Sequence, residues 1–551
     1  MLLPRVKNLT TGQGTSLLPY GLTLSVDTAI EAKALKLVSL LFPEATVTAA
    51  EDAVITACAN TDLASEAYQL TVAENRVAIA YSDYLGLRNA LAALSVAVTA
   101  AETGYTVGNM TAEDAPVASH RGIMLDLARG MMPYQVLWED LVMLAKFRLN
   151  IVHLHLFDSQ GSCMYFENLP ASALWEGHYS KDQMRELVAH ADVLGLELIP
   201  EFDMPAHSTV LLPEQPEYAC ELPEGIARSN WTVCGGSEAV YEMYDKVITE
   251  IAEIFPGRYI HIGGDELEFL DLGGDYLCHW NDCPRCARFR KEHGLADRQD
   301  QLYYFTNRIN SMVKKHGRQT MIWSDQIDCT REVKLDRDIL LHFWRVAGKG
   351  RGPHEGCSMN AQLSFGFDAV NSWYPETYLD MEPPGYKTSP ASLQVWNWLE
   401  TPECEEQYKK QIKGAELCCW EYGNLDMYAH YAHSLPSGTL IFADKLWNGD
   451  ILPYSKEYSM SLAKAILGAA TPVQLDVFES IGDLIPPRES KRQIHDDHPP
   501  KLAYPDRVTV DDAQLQQTIS LLDTLIAAGG VPARRAAAYK KCVQAVIDAR
   551  K

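Results

Sequence analysis

Eight short apolar segments recur through the middle of the chain, and each is bounded by polar or turn residues. They span residues 121–126, 151–157, 196–202, 258–263, 319–324, 339–344, 368–373 and 414–420. Helical patterns lie between several of them. One begins at Ser180, which has Gln183 at the spacing of a capping box, and ends at Gly195. Eight strand–helix units over ~300 residues predict a TIM (β/α)8 barrel, an α/β fold. A doubly wound open sheet is the weaker alternative, because no G-x-G-x-x-G follows the first strand.

The sequence before and after the eight apolar segments predicts two smaller regions, one on each side of the barrel. Residues 1–115 contain strand-like runs (YQLTV, RVAIAYS) and one helical run (LGLRNALAALSVAV), which indicates a small N-terminal α+β domain. We assign residues 116–449 to the barrel. Residues 450–551 have helical patterns without strands, which predicts a helical C-terminal region.

The charge balance restricts the partners of the protein. Lys and Arg together number 48 against 73 Asp and Glu, a formal net charge of −25. A surface with this negative charge repels phosphate backbones and anionic lipid. We therefore expect no nucleic-acid or membrane partner. The first residues contain only a short apolar run before Pro4 and Arg5, unlike a secretory signal, so we expect a cytoplasmic protein. Assembly into a homo-oligomer stays open.

Acidic, histidine and tryptophan residues crowd the predicted carboxyl ends of the strands, where TIM barrels carry their sites. This composition suits a sugar-cleaving pocket, because carboxylates supply acid and base and indole rings pack on pyranose faces. The most informative segment is HIGGDE (261–266), in which two glycines precede Asp265 and Glu266. In an extended segment, successive side chains point in opposite directions, so we expect the two acids to have different roles.

Several segments resemble, in order, the glycoside hydrolase family 20 β-N-acetylhexosaminidases. HIGGDE is similar to the signature of that family. The other matching segments are RGIMLDLAR (121–129), LNIVHLHLFDSQG (149–161), PEFDMPAHS (200–208), MIWSDQ (321–326) and YLD (378–380). The N-terminal run EAYQLTVAENRVAIAYSDYLGLRNALAAL resembles the small domain that precedes the barrel in this family. The resemblance covers roughly residues 65–425, and it implies a barrel enzyme that removes terminal N-acetylhexosamine from a small oligosaccharide or glycoconjugate.

The resemblance also implies catalytic roles. Glu266 is the expected general acid and then the base that activates water. Asp265 is expected to hold the N–H of the substrate's 2-acetamido group, and Tyr378 its oxygen, which attacks the anomeric carbon and forms an oxazolinium intermediate. Asp158 and His207 are the expected relay that tunes Glu266.

The same resemblance implies a set of substrate-binding residues. We expect some of them to bind ring hydroxyls and the tryptophans to wall the pocket. The expected residues are Arg121, Trp323, Trp344, Asp380, Trp420 and Glu421. No cofactor is required by this mechanism.

Other functions compete with this hypothesis. A metal-dependent barrel hydrolase would use His153, His155, His207 and His261 as ligands. A non-catalytic sugar-binding relative would keep the scaffold without the reaction. A barrel glycosidase with a carboxylate nucleophile would cleave sugars that lack the 2-acetamido group.

The thirteen cysteines are expected to be reduced thiols, and some of them raise the prospect of metal binding. Cys278, Cys283 and Cys286 form a C-x4-C-x2-C pattern shortly after the predicted catalytic strand. Such a pattern is compatible with a structural zinc ion that pins this loop, with Cys220 or Cys234 as an additional ligand. Plain reduced thiols and a disulfide are the alternatives.

Overall fold

The fold was analysed in a computed structural model. It describes residues 2–267, 276–345, 357–379, 396–420, 434–449 and 511–528, together with scattered single residues near these ranges and within 536–550. Among the described residues, no helix has the length and apolar character needed to cross a bilayer.

The N-terminal part is a mixed sheet of eight strands with two helices. The strands follow the order β1-β8-β5-β6-β4-β2-β3, and β7 pairs with β8. The elements are β1 (Asn8–Pro19), β2 (Gly21–Ser25), α1 (Glu31–Leu41), β3 (Thr46–Ala49), β4 (Ile55–Ala59), β5 (Tyr68–Ala73), β6 (Arg76–Tyr81), α2 (Tyr84–Ala97), β7 (Thr99–Ala101) and β8 (Gly104–Asp114).

Eight parallel strands then close into a barrel, which confirms the predicted fold class. Closure comes from β9, which pairs with the second barrel strand on one side and with the last on the other. The barrel strands are β9 (His120–Asp126), β10 (Ile151–Asp158), β13 (Glu197–Phe202), β14 (Tyr259–His261), β15 (Gln319–Trp323), β16 (Leu340–Phe343), β17 (Ala369–Asn371) and β19 (Ile412–Cys419). Each predicted apolar segment overlaps one of them.

Shorter strands and a ring of helices complete this part. The additional strands are β11 (Gly161–Met164), β12 (Leu174–Tyr179) and β18 (Tyr378–Leu379). The helices are α3 (Tyr134–Lys146), α4 (Lys181–Val193), α5 (Glu238–Ile254), α6 (Pro284–Glu292), α7 (Arg298–Lys315), α8 (Met359–Ser364), α9 (Tyr374–Thr377) and α10 (Ser434–Asn448). Helix α4 begins with the predicted capping box of Ser180 and Gln183.

The interior of the barrel changes from apolar to polar along the strands. Near the amino ends, one apolar layer is formed by Ile151, Ile199, Tyr259, Met321, Leu340 and Val370. Two positions further along three of these strands stand Glu201, Trp323 and His342, because every second strand residue points inward. The apolar layer closes the bottom of the barrel, and the polar layer supports the site at the carboxyl ends.

The structure also bears on two further predictions, which concern the C-terminal region and the cysteines. In the C-terminal region, α11 (Asp512–Ala528) is helical as predicted, and most of residues 450–510 lies outside the described residues. Cys329 and Cys357 form a disulfide with a Cα–Cα distance of 5.3 Å, so the expectation of reduced thiols is wrong for this pair. Ten other cysteines of the described residues are free thiols.

Candidate active site

His207 lies at the centre of the polar groups above the barrel. Its Nδ1 is 3.1 Å from Asp158 Oδ1, and its Nε2 is 3.6 Å from both Asp265 Oδ2 and Glu266 Oε2. The ring is buried, with 3% of its side chain exposed. Burial alone would lower the pKa of His207, but the carboxylates of Asp158, Asp203 and Asp265 raise it well above its ordinary value. A protonated imidazole therefore links Asp158 to both acids, Asp265 and Glu266.

The two acids are brought together by an unusual backbone after β14. Gly263 and Gly264 both have positive φ, and a Cβ at Gly263 would lie 1.8 Å from Asp203 Oδ1, so only glycine fits there. Glu266 itself has φ 45°, in the left-handed region. The chain is therefore not extended at Glu266, and the expectation that the two side chains point in opposite directions is wrong: both carboxylates face His207.

The acids nevertheless differ in their surroundings. Burial raises the pKa of Asp265 to about 7; His207 opposes this rise, whereas Asp325 and Glu266 add to it. Asp265 Oδ1 is buried without a hydrogen-bond partner among the described residues. The side chains of Asp265 and Glu266 are about equally exposed, at 10% and 12%. Asp265 thus offers an unused acceptor oxygen, whereas Glu266 Oε1 lies 3.8 Å from the guanidinium of Arg345.

Aromatic rings form a wall beside the acids. Trp344 and Tyr378 are nearly parallel, with centroids 5.9 Å apart and planes 10° apart. Trp420 lies 5.6 Å from Tyr378 and 5.8 Å from Trp323 between ring centroids. Trp323 is almost fully buried, and its indole Nε1 donates to Glu201 Oε1 at 2.7 Å. The structure therefore brings all four predicted aromatic residues together.

Asp325 organises one side of the site, a role that the sequence analysis did not assign. Its carboxylate accepts hydrogen bonds from the backbone N–H of Glu266 (3.2 Å), the indole of Trp344 (3.2 Å) and the guanidinium of Arg345 (3.1 Å). Arg345 also lies 3.8 Å from Glu266 Oε1. The position of Asp325, two residues after the end of β15, was the available signal, since strand ends carry the site.

Arg121 does not reach this site, and its predicted role in sugar binding is wrong. It stands near the amino end of β9, fully buried, where its guanidinium pairs with Glu66 and donates to the backbone of Arg148 and Ala118. The arginine that this strand brings to the site is Arg129, three residues beyond its end.

Arg129 connects the relay to the aromatic wall. Its guanidinium donates to Asp126 (2.9 Å) and Asp158 (2.7 Å) and lies 4.9 Å from the ring of Trp420. Although burial favours the neutral acid, Arg129 and His207 hold the pKa of Asp158 well below its ordinary value. Strand direction was the signal that separates the two arginines, because only Arg129 follows the carboxyl end.

Two predicted substrate-binding residues lie outside the described residues, and one predicted zinc ligand lies outside the group of cysteines that the structure brings together. Asp380 and Glu421 are not described by the structure. Cys278 is not one of the four buried cysteines whose sulfur atoms gather behind the catalytic loop, which are Cys220, Cys234, Cys283 and Cys286.

The histidines of the metal-hydrolase hypothesis are engaged with buried carboxylates beneath the acids. His153 Nδ1 is 2.9 Å from Glu416 Oε2, and its Nε2 is 3.1 Å from Glu201 Oε2. His155 lies between Glu201 (2.5 Å) and Asp158 (3.0 Å). These histidines and carboxylates thus alternate within the barrel interior, where opposite charges compensate one another.

The comparisons with known proteins agree with this geometry. The model of glycosyl hydrolase family 20, catalytic domain, matches residues 119–448, and that of domain 2 of the same family matches residues 1–115. The chain belongs to glycosyl hydrolase family 20. The N-terminal sheet and the barrel are thus the two domains of a family 20 protein.

Curated relatives share only part of their length with this family 20 chain. A Beta-hexosaminidase of Porphyromonas gingivalis is 27% identical over 48% of this chain and 36% of its own length. A Beta-hexosaminidase of Vibrio furnissii is 25% identical over 66% of this chain and 62% of its own. The chain spans about one third to two thirds of the length of these relatives.

Solved structures share the fold. The exo β-N-acetylglucosaminidase of Vibrio harveyi, solved with N-acetylglucosamine, has a TM-score of 0.71 and 20% identity over 87% of this chain and 78% of its own. A Flavobacterium johnsoniae chitobiase has a TM-score of 0.70 and 21% identity over 98% of this chain and 86% of its own. At these identities the likeness concerns the fold.

Proposed function

We propose that this family 20 protein is an exo-acting β-N-acetylhexosaminidase, which releases terminal GlcNAc or GalNAc from small oligosaccharides or glycoconjugates with retention of configuration. The name Beta-hexosaminidase of the curated relatives supports the activity. In this family the acetamido group of the substrate serves as the nucleophile, so no carboxylate of the protein has to attack the sugar.

The observation that carries the proposal is the unequal pair of acids around His207. Asp265 is buried, with an acceptor oxygen that has no hydrogen-bond partner among the described residues. An unpaired buried acceptor costs about 1–3 kcal/mol, which a ligand N–H in its place would recover. The 2-acetamido group of the substrate brings such a donor. Sugars without this group leave Asp265 unpaired, so the site discriminates against them.

Glu266 supplies the proton for the leaving group. Its carboxyl lies between His207 (3.6 Å) and Arg345 (3.8 Å). The protonated acid donates to the glycosidic oxygen as the bond to the anomeric carbon breaks. The resulting carboxylate then takes a proton from the water that opens the oxazolinium ring.

Asp265 and Tyr378 act on the acetamido group. Ionised Asp265 accepts its N–H and balances the positive charge that develops on the oxazolinium. The phenol of Tyr378 donates to the acetamido oxygen as that oxygen turns toward the anomeric carbon. Burial, together with nearby Cys418 and Asp265, raises the pKa of Tyr378 well above its ordinary value, so the phenol keeps the proton that it donates.

Trp344, Tyr378 and Trp420 enclose the sugar on one side. Their rings offer apolar faces to the acetamido methyl and to the pyranose, and they exclude water from the reacting atoms. Arg129 beside Trp420 is placed to donate to ring hydroxyls. We propose the same hydroxyl-binding role for Asp380 and Glu421, which follow β18 and β19 in the chain.

We also propose that the hydrolysis needs no cofactor and takes place in the cytoplasm. The reaction uses only the acid, the acetamido group and water, which supports the first point. Free thiols at ten described cysteines are typical of a reducing compartment, which supports the second. The disulfide between Cys329 and Cys357 is typical of an oxidising compartment. Fractionation of native cells is therefore the test of location.

The activity is tested with nitrophenyl β-glycosides that differ only at position 2 of the sugar. We expect release of nitrophenol from the GlcNAc and GalNAc compounds and little from the glucoside and galactoside. Glu266→Gln should abolish most of the activity on natural disaccharides, whereas Glu186→Gln, at an exposed position of α4, should not change it. Efficient cleavage of the glucoside without cleavage of its N-acetyl analogue would overturn the proposal.

A further inference from the structure

Four buried thiols meet behind the loop that carries the acids. Cys220 and Cys234 come from the segment between β13 and α5, and Cys283 and Cys286 come from the start of α6. All four sulfur atoms lie within 4.8 Å of one another. Cys234 Sγ is 3.5 Å from Cys286 Sγ and 3.8 Å from Cys283 Sγ.

This spacing is that of thiolates around a single tetrahedral ion. Zn–S bonds of about 2.3 Å at tetrahedral angles place sulfur atoms about 3.8 Å apart. A disulfide requires about 2.05 Å between its sulfur atoms. Two of the ligands also show the C-x2-C spacing of structural zinc sites, Cys283 and Cys286, with Cys283 as the N-cap residue of α6.

The surrounding chain is shaped so that the two segments approach closely. A Cβ at Gly235 would lie 2.5 Å from the indole of Trp280, and a Cβ at Gly236 would lie 3.0 Å from the Cα of Cys286. Larger residues would therefore push Cys234 away from α6. Arg285 adds a second link between the segments, because its guanidinium donates to Glu221 (2.9 Å) and to the backbone oxygen of Glu217 (2.9 Å).

We propose that Cys220, Cys234, Cys283 and Cys286 bind one structural zinc ion. The set contains four sulfur ligands and leaves no position for a substrate, as in structural rather than catalytic zinc sites. Soft thiolates favour Zn2+ over Mg2+ or Ca2+, which prefer oxygen. Of the three cysteines singled out in the sequence, Cys283 and Cys286 are ligands, and Cys278 is replaced by Cys220 and Cys234 from a distant loop.

The ion acts on the site by fixing the segment that holds the catalytic loop. Beside Cys234, Val233 accepts a hydrogen bond from the indole of Trp280 (2.7 Å). Thr232 donates to the backbone oxygen of Leu267 (2.9 Å), and Trp231 donates to that of Glu266 (2.8 Å). A zinc ion at the four cysteines thus fixes the position of Cys234. The hydrogen bonds of the three residues before Cys234 then connect this position to the backbone of Glu266, the general acid.

The first test is metal analysis of the untagged full chain, purified without chelators and under reducing conditions. We expect about one zinc per chain, as purified or after unfolding and refolding with zinc chloride. An organomercurial that modifies thiols should release this zinc to a chromogenic chelator. Protein that is active yet binds well below one zinc per chain after refolding would overturn the proposal, as would one iron per chain or a disulfide among the four cysteines in the native protein.

The second test compares variants. Cys283→Ser/Cys286→Ser should lose the zinc and lower the melting temperature. Cys278→Ser changes a buried cysteine of the same loop outside the cluster and should keep one zinc per chain. If the double variant does not fold, cobalt substitution of the wild type decides: four thiolates give the intense visible and near-ultraviolet absorption of tetrahedral cobalt, and its absence would contradict the site.

These readouts are independent of the proposed function. A zinc-containing protein without hexosaminidase activity would leave the zinc site standing and reject the activity. A zinc-free active enzyme would do the reverse. A brief exposure of the folded enzyme to a chelator should not change its initial rate, because the ion lies outside the reacting atoms.

Discussion

The indole Nε1 of Trp231 donates a hydrogen bond to the backbone carbonyl oxygen of Glu266, at 2.8 Å. Glu266 has φ 45°, a conformation that costs a non-glycine residue about 1–3 kcal/mol. On the other side of the same residue, its backbone N–H donates to Asp325 Oδ2. Two neighbouring loops therefore hold the backbone of Glu266 in the conformation that turns its carboxyl toward His207.

Trp231→Phe tests this relationship, because it removes the indole donor and keeps an aromatic ring at the same position. A net hydrogen bond contributes about 0.5–1.5 kcal/mol, so we expect kcat to fall about 2- to 12-fold with little change in KM. Trp138→Phe, on the outer helix α3, is the matched control and should leave kcat unchanged. An equal kcat for wild type and Trp231→Phe would show that the bond does not position the acid.

The pH dependence of kcat/KM should report Asp265. Its pKa is raised to about 7, chiefly by burial, so below pH 7 the free enzyme carries a protonated Asp265. The proposed reaction needs the carboxylate beside the oxazolinium. We therefore expect kcat/KM to rise with pH up to about 7. Asp265→Asn should be slower and should lack this limb of the profile, whereas an unchanged limb in the variant would assign it to another group.

Stability should depend on pH in the opposite sense. Burial alone would lower the pKa of His153, but Glu416 and Glu201 raise it to about 9 from 6.5. Because the folded-state pKa is the higher one, this contribution is complete below pH 6.5 and is lost as the pH rises through 9. We expect the free energy of unfolding in urea to decrease from pH 6.5 to 9. A constant or rising value would indicate a neutral His153.

Arg121 and Arg129 should separate stability from catalysis. Arg121→Lys removes the forked contact with buried Glu66 at the amino end of the barrel, so the melting temperature should fall while kcat/KM, measured well below it, stays unchanged. Arg129→Lys should lower kcat/KM about tenfold or more even well below its own melting temperature, since charged hydrogen bonds contribute about 1.5–3 kcal/mol. Thermal melts and kinetics on both variants decide the assignment.

The eight barrel strands could be predicted because each is a buried run that ends in turn residues, and the acids could be predicted because they follow one of these runs. The orientation of the two acidic side chains could not be predicted. Opposite directions were expected for Asp265 and Glu266 on the assumption of an extended backbone. The backbone of Glu266 is instead in the left-handed region, where hydrogen bonds with Trp231 and Asp325 hold it. No pattern local to residues 261–266 carries that information.

The conformation of the long loops could not be predicted from the sequence either. Cys220, Trp231 and Cys234 lie in the stretch between β13 and α5, which has no hydrophobic periodicity that would indicate where it folds back. Sequence proximity favoured Cys278 as a zinc ligand, but the barrel brings Cys234 to Cys283 across 49 residues. Contacts of this kind depend on the closed barrel, which places consecutive loops side by side at one rim.

The proposed roles of the two acids predict different responses to the leaving group. Glu266→Gln cannot protonate the glycosidic oxygen, so disaccharides should lose about 10²–10⁴-fold in kcat/KM. An aryl glycoside with an acidic phenol needs little protonation and should lose far less. Equal losses for both substrate types would show that Glu266 is not the general acid.

Asp265→Asn and Tyr378→Phe should slow both substrate types alike, because these residues act on the acetamido group whatever the leaving group is. A thiazoline that mimics the oxazolinium should inhibit the wild type strongly and both variants weakly, since its ring presents the same atoms to Asp265 and Tyr378. Azide offers the opposing outcome. If it rescued Asp265→Asn and gave a glycosyl azide of inverted configuration, Asp265 would be a nucleophile, and substrate assistance would be wrong even if the enzyme released N-acetylhexosamine.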